Sequence, residues 1–217
     1  MFIGRKNEAS HMIRELQQGN NIILGGKYGT GRTSLVRHLA STFLNEWKIV
    51  FVDFSQTPGK MSGKLMKELG LKARFKKTGK KMGYRSMRYC ISNFESSKRK
   101  QTVIVFDNIA KLTNQKIIFL KYLVQEKHFQ FIAIVENFLS ARDLECLKAI
   151  LLPANYLLLR NLKRNDVASF IQLYSDKHNF NWSDNYIQDL TAVAGGHPLS
   201  IMGMIGNIKG VEYDGKI

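Results

Sequence analysis

Short apolar runs alternate with segments of helical spacing along residues 1–160 of the chain. The runs are apolar at consecutive positions and rich in β-branched residues, which is typical of parallel strands buried on both faces. The segments between them carry apolar residues three and four positions apart, which predicts amphipathic helices. The pattern predicts strands over 22–24, 47–53, 102–108, 129–135 and 156–159, and helices over 7–18, 32–45, 61–71, 84–94, 116–125 and 142–150.

This alternation of strands and helices predicts an α/β fold in three layers, a parallel sheet covered by helices on both faces. Past Arg160 the pattern changes to helices alone. Asn165 can cap one helix to about 177, Ser183 can cap a second to about 194, and a turn at 195–198 leads into a third. We therefore expect an α/β core over 1–160 and a smaller helical region over 161–217.

The composition is that of an ordinary globular protein, since 44% of the 217 residues are hydrophobic and 23% are charged. No apolar run approaches the roughly 18 residues of a membrane span, and the first residues lack the apolar core of a secretory signal. We expect an intracellular protein with no membrane segment. Cys90 and Cys146 stand apart in the sequence, without the spacing of a zinc or redox site.

Positive charge is concentrated in one stretch of the chain. The net charge is +16, and residues 60–100 contain fourteen basic residues against only Glu68 and Glu95, a local excess of +12. A cluster of one sign in a globular domain is typical of a protein that binds a polyanion, which favours nucleic acid. An acidic protein, a membrane surface and a merely solvated basic face are the alternatives. The residues that we expect to contact nucleic acid are Lys72, Arg74, Lys76, Lys77, Lys80, Lys81, Arg85 and Arg88.

The strand predicted at 22–24 runs into a glycine-rich stretch that opens onto a helix. This order is the context of a phosphate-binding P-loop, whose pattern is G-x-x-x-x-G-K-[ST]. Backbone N–H groups of such a loop point at phosphate, and the helix N-terminus adds the positive end of its dipole. Thr33 occupies the position whose hydroxyl would hold Mg²⁺. The expected nucleotide-binding residues here are Gly26, Lys27, Tyr28, Gly29, Thr30, Gly31, Arg32, Thr33 and Ser34.

Polar residues at two later strand ends add candidate chemistry. Asp107 lies near the end of the strand predicted at 102–108, where an aspartate can hold the Mg²⁺ shell of a nucleotide bound at this edge of the sheet. Asn108 follows, at a position where a carboxylate often acts as the catalytic base. Its amide can orient a water molecule but cannot accept a proton. Glu136 and Asn137 follow the next strand as candidate readers of a terminal phosphate, and we assign the role to Asn137.

Arg32 stands where the P-loop pattern has lysine. Its guanidinium keeps the positive charge but is longer, planar and more weakly hydrated than an ammonium group. We expect this exchange to weaken nucleotide binding or to distort the contact with the γ-phosphate. Because Asn108 departs on the same side of the chemistry, the sequence favours nucleotide binding over turnover.

Four blocks, in this order, make the chain resemble an AAA+ ATPase. Residues 2–8 are similar to the F-[IV]-G-R-x-x-E segment near the adenine, 26–33 to Walker A, 103–108 to Walker B, and 195–199 to the G-G-x-P-L turn of the helical lid. The resemblance is to the initiator, archaeal-ATPase and STAND branches, which include DNA-bound ATPases of transposition systems.

The resemblance implies a P-loop NTPase core over 1–160 with a helical lid over 161–217, and ATP or ADP with Mg²⁺ as cofactors. It implies that Ile3, Gly4 and Arg5 lie near the adenine and that His197 and Pro198 close over the base. In DNA-bound relatives, the region between the second strand and Walker B faces the DNA path, and the basic stretch falls there. DNA and a second copy of the chain are the partners it implies.

The leading hypothesis is an ATP-binding AAA+/STAND-like protein that engages DNA non-specifically, with weak or no ATP hydrolysis. The alternative is a nucleotide-dependent regulatory switch whose basic face docks an acidic protein. A third hypothesis, a small-molecule phosphotransferase on a P-loop scaffold, fits the N-terminal block and the lid turn less well.

Overall fold

The computed structural model describes residues 3–71, 82–94 and 100–208. Its centre is a parallel five-stranded sheet, as the sequence predicts. The strands are β1 (Asn21–Gly26), β2 (Trp47–Asp53), β3 (Gln101–Ile109), β4 (Phe129–Val135) and β5 (Ala154–Leu159). Their order across the sheet is β2-β3-β4-β1-β5, so β1 lies between two strands from much later in the chain.

Helices connect these strands and continue beyond the last of them. In the described residues, the helices that precede β5 are α1 (Lys6–Gln17), α2 (Arg32–Thr42), α3 (Pro58–Leu69), α4 (Tyr84–Ser92), α5 (Asn114–Gln125) and α6 (Ala141–Ile150), with α3 and α4 both between β2 and β3. The last three described helices are α7 (Arg164–His178), α8 (Asp184–Val193) and α9 (Pro198–Ile208), which we call the lid helices.

The sheet is buried under helices on both faces because successive strand residues point to opposite sides. Ile104 and Phe106 of β3 join an apolar cluster with α3, α4, α5 and α6. Val103 and Val105 of the same strand join a second cluster with α1 and α2. Burial of a large apolar side chain contributes about 1.5–3 kcal/mol, so consecutive apolar residues in β3 are each stabilising. The result is the three-layer α/β arrangement.

The lid helices have an apolar cluster of their own, which contains Val167, Ile171, Ile187, Ala194, Ile201 and Ile205. Their turn at Gly196 requires glycine, because φ is +76° and a Cβ would lie 2.4 Å from the carbonyl oxygen of Leu162. The Leu162 N–H donates to the Gly196 carbonyl at 2.7 Å, which fixes this turn against the start of the lid. No described helix is long and apolar enough to cross a membrane.

Two helix starts differ from the prediction. Helix α3 begins at Pro58, three residues before the predicted start at 61, because Thr57 accepts from the Lys60 N–H and proline suits the first helical position. Helix α7 begins at Arg164 with Lys163 in the N-cap position, so the capping role predicted for Asn165 is wrong. Ser183 does cap α8, accepting from the Tyr186 N–H as predicted.

Candidate nucleotide-binding site

The glycine-rich loop joins the end of β1 to the start of α2. Gly29 and Gly31 have φ of +78° and +86°, the left-handed region that glycine adopts without steric cost. At Gly29 a Cβ would lie only 2.6 Å from Cε1 of His197, so the lid packs directly on this glycine. The first hydrogen bond of α2 runs from the Leu35 N–H to the Gly31 carbonyl. The amides of residues 32–34 precede that bond, and they form the helix N-terminus that suits an anion.

A cavity of about 540 Å³ lies between this loop and the lid helices. One wall is aromatic and belongs to α7, where Phe170, Tyr174 and His178 are spaced four residues apart. The Tyr174 and His178 rings lie 4.4 Å apart between centroids. Such a flat, apolar wall suits a purine base, while the loop end of the cavity suits phosphates. The other residues that line the cavity are Ile3, Arg5, Tyr28, Gly29, Thr30, Gly31, Arg32, Thr33, Ser34, Asn108, Glu136, Leu162, Lys177, Pro198, Leu199, Ile201 and Met202.

Thr33 and Asp107 meet at the carboxyl ends of β1 and β3. The Thr33 hydroxyl lies 3.1 and 3.2 Å from the two carboxylate oxygens of Asp107. Burial raises the pKa of Asp107, and hydrogen bonds from the Thr33 hydroxyl and the Asn108 N–H oppose that rise. A hydroxyl and a carboxylate are hard oxygen ligands of the kind Mg²⁺ takes when phosphates supply the rest of its shell. The pair therefore fits Mg²⁺, which would neutralise phosphate charge there.

Asn108 lies at an irregularity of β3, where the pairing with β4 shifts between Phe106 and Ile109. Its φ is +63°, a left-handed conformation that asparagine tolerates better than most residues. Its side-chain amide donates to the Asp53 carboxylate at 3.3 Å, across the β2–β3 pair. Burial works against ionisation of Asp53, but hydrogen bonds from Ser55, Gln56 and Asn108 hold its pKa below the usual value. Asparagine at 108 thus tolerates the left-handed backbone conformation and donates a hydrogen bond to the Asp53 carboxylate.

Arg32 is the first residue of α2, and its guanidinium is bound by the end of β4. One guanidinium nitrogen donates to the Glu136 carboxylate at 2.8 Å, and the other donates to the Val135 carbonyl oxygen. The side chains are 7% and 14% exposed for Arg32 and Glu136, so this ion pair is largely buried. The cation expected to serve phosphate is here paired with a carboxylate.

The AAA domain family matches residues 14–142, more than half of the chain. That span contains the loop, the Thr33–Asp107 pair and four of the five strands. The chain belongs to the AAA domain family. Membership in this family implies nucleotide binding, usually with Mg²⁺.

Solved structures share the fold of this AAA domain. An Orc1 protein from Aeropyrum pernix, solved in complex with DNA, matches with a TM-score of 0.66 and 15% identity over 96% of the chain and 62% of its own. Cdc6p from Pyrobaculum aerophilum gives 0.67 and 11% over 96% and 63%. A STAND protein with a tetratricopeptide repeat sensor from Pyrococcus horikoshii gives 0.52 and 18% over 92% and 29%.

These identities are low enough that the likeness shows the fold alone. The chain spans less than two thirds of the length of each of these three proteins. No curated protein matches the chain.

The N-terminal block, residues 2–8, reaches the cavity through Ile3 and Arg5. Arg5 has φ of +63°, and its buried guanidinium donates to the Glu8 carboxylate and to two backbone carbonyls, those of Thr30 and Arg160. These bonds tie the N-terminal block to the loop and to the end of β5. Arg5 therefore holds the cavity together, and its predicted proximity to adenine stays a prediction. At Gly4 a Cβ would lie 3.1 Å from Asp166 at the start of the lid.

The loop contacts the lid at the turn over residues 195–199, and closure of His197 and Pro198 over a base stays a prediction. Nε2 of His197 lies 2.7 Å from the carbonyl oxygen of Tyr28, and Pro198 and Leu199 line the cavity. The Thr30 hydroxyl turns inward to the Lys27 carbonyl at 2.8 Å, while the Lys27 side chain is exposed. At Gly26 a Cβ would lie 2.8 Å from that hydroxyl, so glycine is needed for the tight turn.

Sequence reasoning assigned the strand-end role to Asn137, and the structure brings its neighbour Glu136 into the cavity wall. Asn137 is exposed, and its catalytic role stays a prediction. Glu136 was considered from the sequence, but its pairing with Arg32 could not be predicted, because the two residues are 104 positions apart and no local pattern links them. The aromatic wall of α7 was missed, although its spacing of four residues was present in the sequence.

Of the predicted nucleic-acid residues, Arg85 and Arg88 are in the described part of the chain. Lys72, Arg74, Lys76, Lys77, Lys80 and Lys81 lie outside the described residues. Arg85 on α4 is exposed, whereas the Arg88 guanidinium lies 3.7 Å from the centroid of the Tyr122 ring. Lys60, Lys64 and Lys67 lie on the exposed face of α3, which packs beside α4.

Proposed function

We propose that this AAA+ protein binds ATP or ADP with Mg²⁺ between the loop and the lid, engages DNA non-specifically through residues 60–100, and hydrolyses ATP weakly or not at all. The observation that carries the nucleotide half is the Thr33–Asp107 pair at the phosphate end of a cavity with an aromatic far wall. Hard oxygen ligands, orphan amides and a flat apolar surface are together what a magnesium nucleotide requires.

Weak hydrolysis follows from the two departures in the loop and the strand end. Arg32 is held by Glu136, so its charge is already partly neutralised before any phosphate arrives. Asn108 has an amide where a base would remove a proton from water, and an amide cannot accept one. Water orientation by Asn108 can still support slow turnover.

The DNA half is supported by charge and exposure. Residues 60–100 carry +12 of the net +16, and the exposed members in the described part of the chain include Lys60, Lys64, Lys67 and Arg85. Charge of one sign on one side binds phosphates without reading bases, which gives salt-sensitive and sequence-tolerant affinity. The A. pernix Orc1 protein of the same fold was solved with DNA.

The test is phosphate release from ATP with and without DNA across a salt series, combined with electrophoretic shifts at low salt. We expect DNA of any sequence to shift and the affinity to fall steeply as salt rises. Lys60→Gln, Lys64→Gln and Lys67→Gln together should reduce the salt slope by about 3, since each phosphate contact contributes about 1. Lys111, Lys121 and Lys127, which are exposed lysines outside the stretch, provide the matched triple control. A protein that shifts no DNA at low salt, with or without ATP, lacks the proposed DNA function.

The second candidate is a regulatory switch whose nucleotide is held rather than hydrolysed and whose basic face docks an acidic protein. The observation in its favour is the buried Arg32–Glu136 pair, which opposes turnover while leaving the cavity intact. Thermal shifts with ATP, ADP and no nucleotide distinguish the two candidates. A nucleotide retained through purification, without phosphate release and without DNA binding, would favour the switch.

Assembly of several copies is also part of the proposal. Light scattering at fixed protein concentration, with and without nucleotide, measures it directly. A mass that stays at one chain under all conditions would remove assembly from the proposal.

A further inference from the structure

The Arg32–Glu136 ion pair joins the start of α2, directly after the loop, to the residue that follows β4. Strand β4 lies beside β1 in parallel register, with Ile134 opposite Leu24. The residue that follows β4 therefore emerges at the same edge of the sheet as the loop that follows β1. Arg32 reaches across this short gap to Val135 and Glu136, and both ion-pair partners line the cavity.

In a P-loop, the backbone amides hold the α- and β-phosphates, whereas the side chain at the position of Arg32 reaches the β- and γ-phosphates. The outer end of the Arg32 side chain therefore marks the region of a terminal phosphate. The Glu136 carboxylate lies 2.8 Å from that end. A carboxylate consequently stands where a third phosphate would bring further negative charge, and like charges at close range in a partly buried site repel strongly.

Among the described residues, two other cationic side chains line the cavity, those of Arg5 and Lys177, and neither contacts the Glu136 carboxylate through a hydrogen bond or ion pair. The Arg5 guanidinium is bound by Glu8 and two backbone carbonyls. Lys177 lies on α7 beside His178, on the same helix as the aromatic wall. Arg32 is the cation of the wall that directly follows the glycine-rich loop, and its charge is balanced by Glu136.

We infer that Glu136 is a specificity-determining residue that makes this site prefer a nucleoside diphosphate to the corresponding triphosphate. A diphosphate is held by the loop amides and the Thr33–Asp107 side while the Arg32–Glu136 pair remains closed. A triphosphate must open that pair or place its terminal group against the carboxylate. The inference rests on the proposed nucleotide binding and adds to it the preferred phosphate number.

The test compares the dissociation constants of Mg²⁺·ADP and Mg²⁺·ATP by calorimetry in the wild type and in Glu136→Gln. The amide keeps the shape and a hydrogen-bond acceptor for Arg32 but removes the charge. We expect the wild type to bind ADP at least about tenfold more tightly than ATP, because a like-charge contact in a partly buried site opposes the third phosphate. Glu136→Gln should tighten ATP by a similar factor and change ADP by no more than about twofold.

The matched control is Glu145→Gln, which removes the same charge from α6. Glu145 pairs with Lys148 at 2.7 Å on an exposed surface and is absent from the cavity wall. We expect both nucleotides to bind this control as they bind the wild type. Should Glu136→Gln fail to fold by circular dichroism, Arg32→Gln combined with Glu136→Gln retains a neutral hydrogen-bonding pair. That double variant should likewise bring the two affinities close together.

The results separate this inference from the proposed function. Folded wild type that binds ATP as tightly as ADP, or Glu136→Gln that changes both affinities equally, overturns the preference and leaves nucleotide binding intact. Folded wild type that binds neither nucleotide at millimolar concentration overturns the proposed nucleotide binding, and the preference falls with it.

Discussion

Arg32 and Thr33 are neighbours in the chain, yet their side chains reach different strands and meet different chemistry. Thr33 meets Asp107 of β3, a hydroxyl facing a carboxylate of raised pKa, and the two oxygens together suit a cation. Arg32 meets Glu136 beyond β4, a cation facing an anion, and the two charges cancel. One side of the loop is thus arranged for a ligand, and the other is already satisfied by the protein.

The comparison teaches that the two halves of a phosphate site can diverge independently. A loop that keeps its glycines and Thr33 keeps the backbone amides that suit phosphate and the hydroxyl that suits Mg²⁺, even when residue 32 is exchanged. The Arg32 side is set by Glu136, which follows β4 and lies 104 residues later in the sequence. Changes at either strand end can therefore alter binding and turnover separately.

The largest expected effect comes from breaking the Arg32 side. Arg32→Ala leaves the Glu136 carboxylate largely buried without its partner, so we expect the free energy of unfolding to fall by about 3 kcal/mol. Arg32→Ala combined with Glu136→Ala should recover much of this loss. Urea unfolding of both variants measures it.

The exposed pair Lys64–Glu68 provides the control for that measurement, since its side chains are 50% and 40% exposed. Lys64→Ala should cost about 0.5 kcal/mol or less, as exposed ion pairs contribute little. Equal small losses at both sites would mean that the Arg32–Glu136 pair does not hold in solution.

The next effect comes from breaking the Thr33 side. Asp107→Asn removes the carboxylate charge that would attract Mg²⁺, so we expect the magnesium-dependent part of nucleotide affinity to fall by about a hundredfold. Calorimetry with ADP in Mg²⁺ and in chelator measures this part. Asp53→Asn, a change at the end of the neighbouring strand, is the control and should retain the magnesium dependence. Unaltered magnesium dependence in Asp107→Asn would place the metal elsewhere.

A smaller effect is expected at Asn108, where the backbone and the chemistry conflict. Glutamate there supplies a carboxylate but must adopt φ of +63°, which costs about 1 kcal/mol of unfolding free energy. We expect Asn108→Glu alone to leave phosphate release unchanged, and Asn108→Glu with Arg32→Lys to raise it. Asn108→Gly controls for the backbone and should be as stable as the wild type. Loss of ATP binding in the double variant would show that Arg32 is an adapted ligand.

The smallest effect is the pH dependence of stability that Asp107 confers in the nucleotide-free protein. Because burial raises its pKa above the ordinary 3.8, the folded state binds a proton that the unfolded state has released. Stability is therefore lost as the pH rises from about 3.8 through the raised value, and it is fully present below that window. Asp107→Asn should lack this loss, so the difference in Tm between variant and wild type should grow in the variant's favour from pH 4 to pH 7. A constant difference would assign no titration to Asp107.

The sheet, the loop and the metal side were predictable because their signals are local. Consecutive apolar residues predict the β4 strand from Phe129 to Val135, and the glycines predict the turn before α2. Asp107 was found because a strand end is visible in the sequence. Helix starts such as Pro58 were harder, since a proline reads equally as a break and as a first helical residue.

The state of Arg32 was not predictable, because it depends on which strand lies next to β1. Strand order is a property of the folded sheet, and no sequence pattern near Arg32 predicts its contact with Glu136. The aromatic wall of α7 needed a different kind of knowledge. Its spacing was present in the sequence, but the loop residues that line the same cavity lie far earlier in the chain.

Arg5 joins the phosphate loop to a residue near the end of the α/β core. Its guanidinium binds the carbonyl of Thr30 in the loop and the carbonyl of Arg160, 155 residues later. The neighbouring strand β5 also pairs with β1 along its full length, from Asn21 to Gly26. A chain that ends before residue 154 consequently contains the phosphate loop but lacks both the β5 pairing and the Arg160 carbonyl. The loop near the start of the chain therefore depends for these two supports on residues 154–160, which lie more than a hundred residues later.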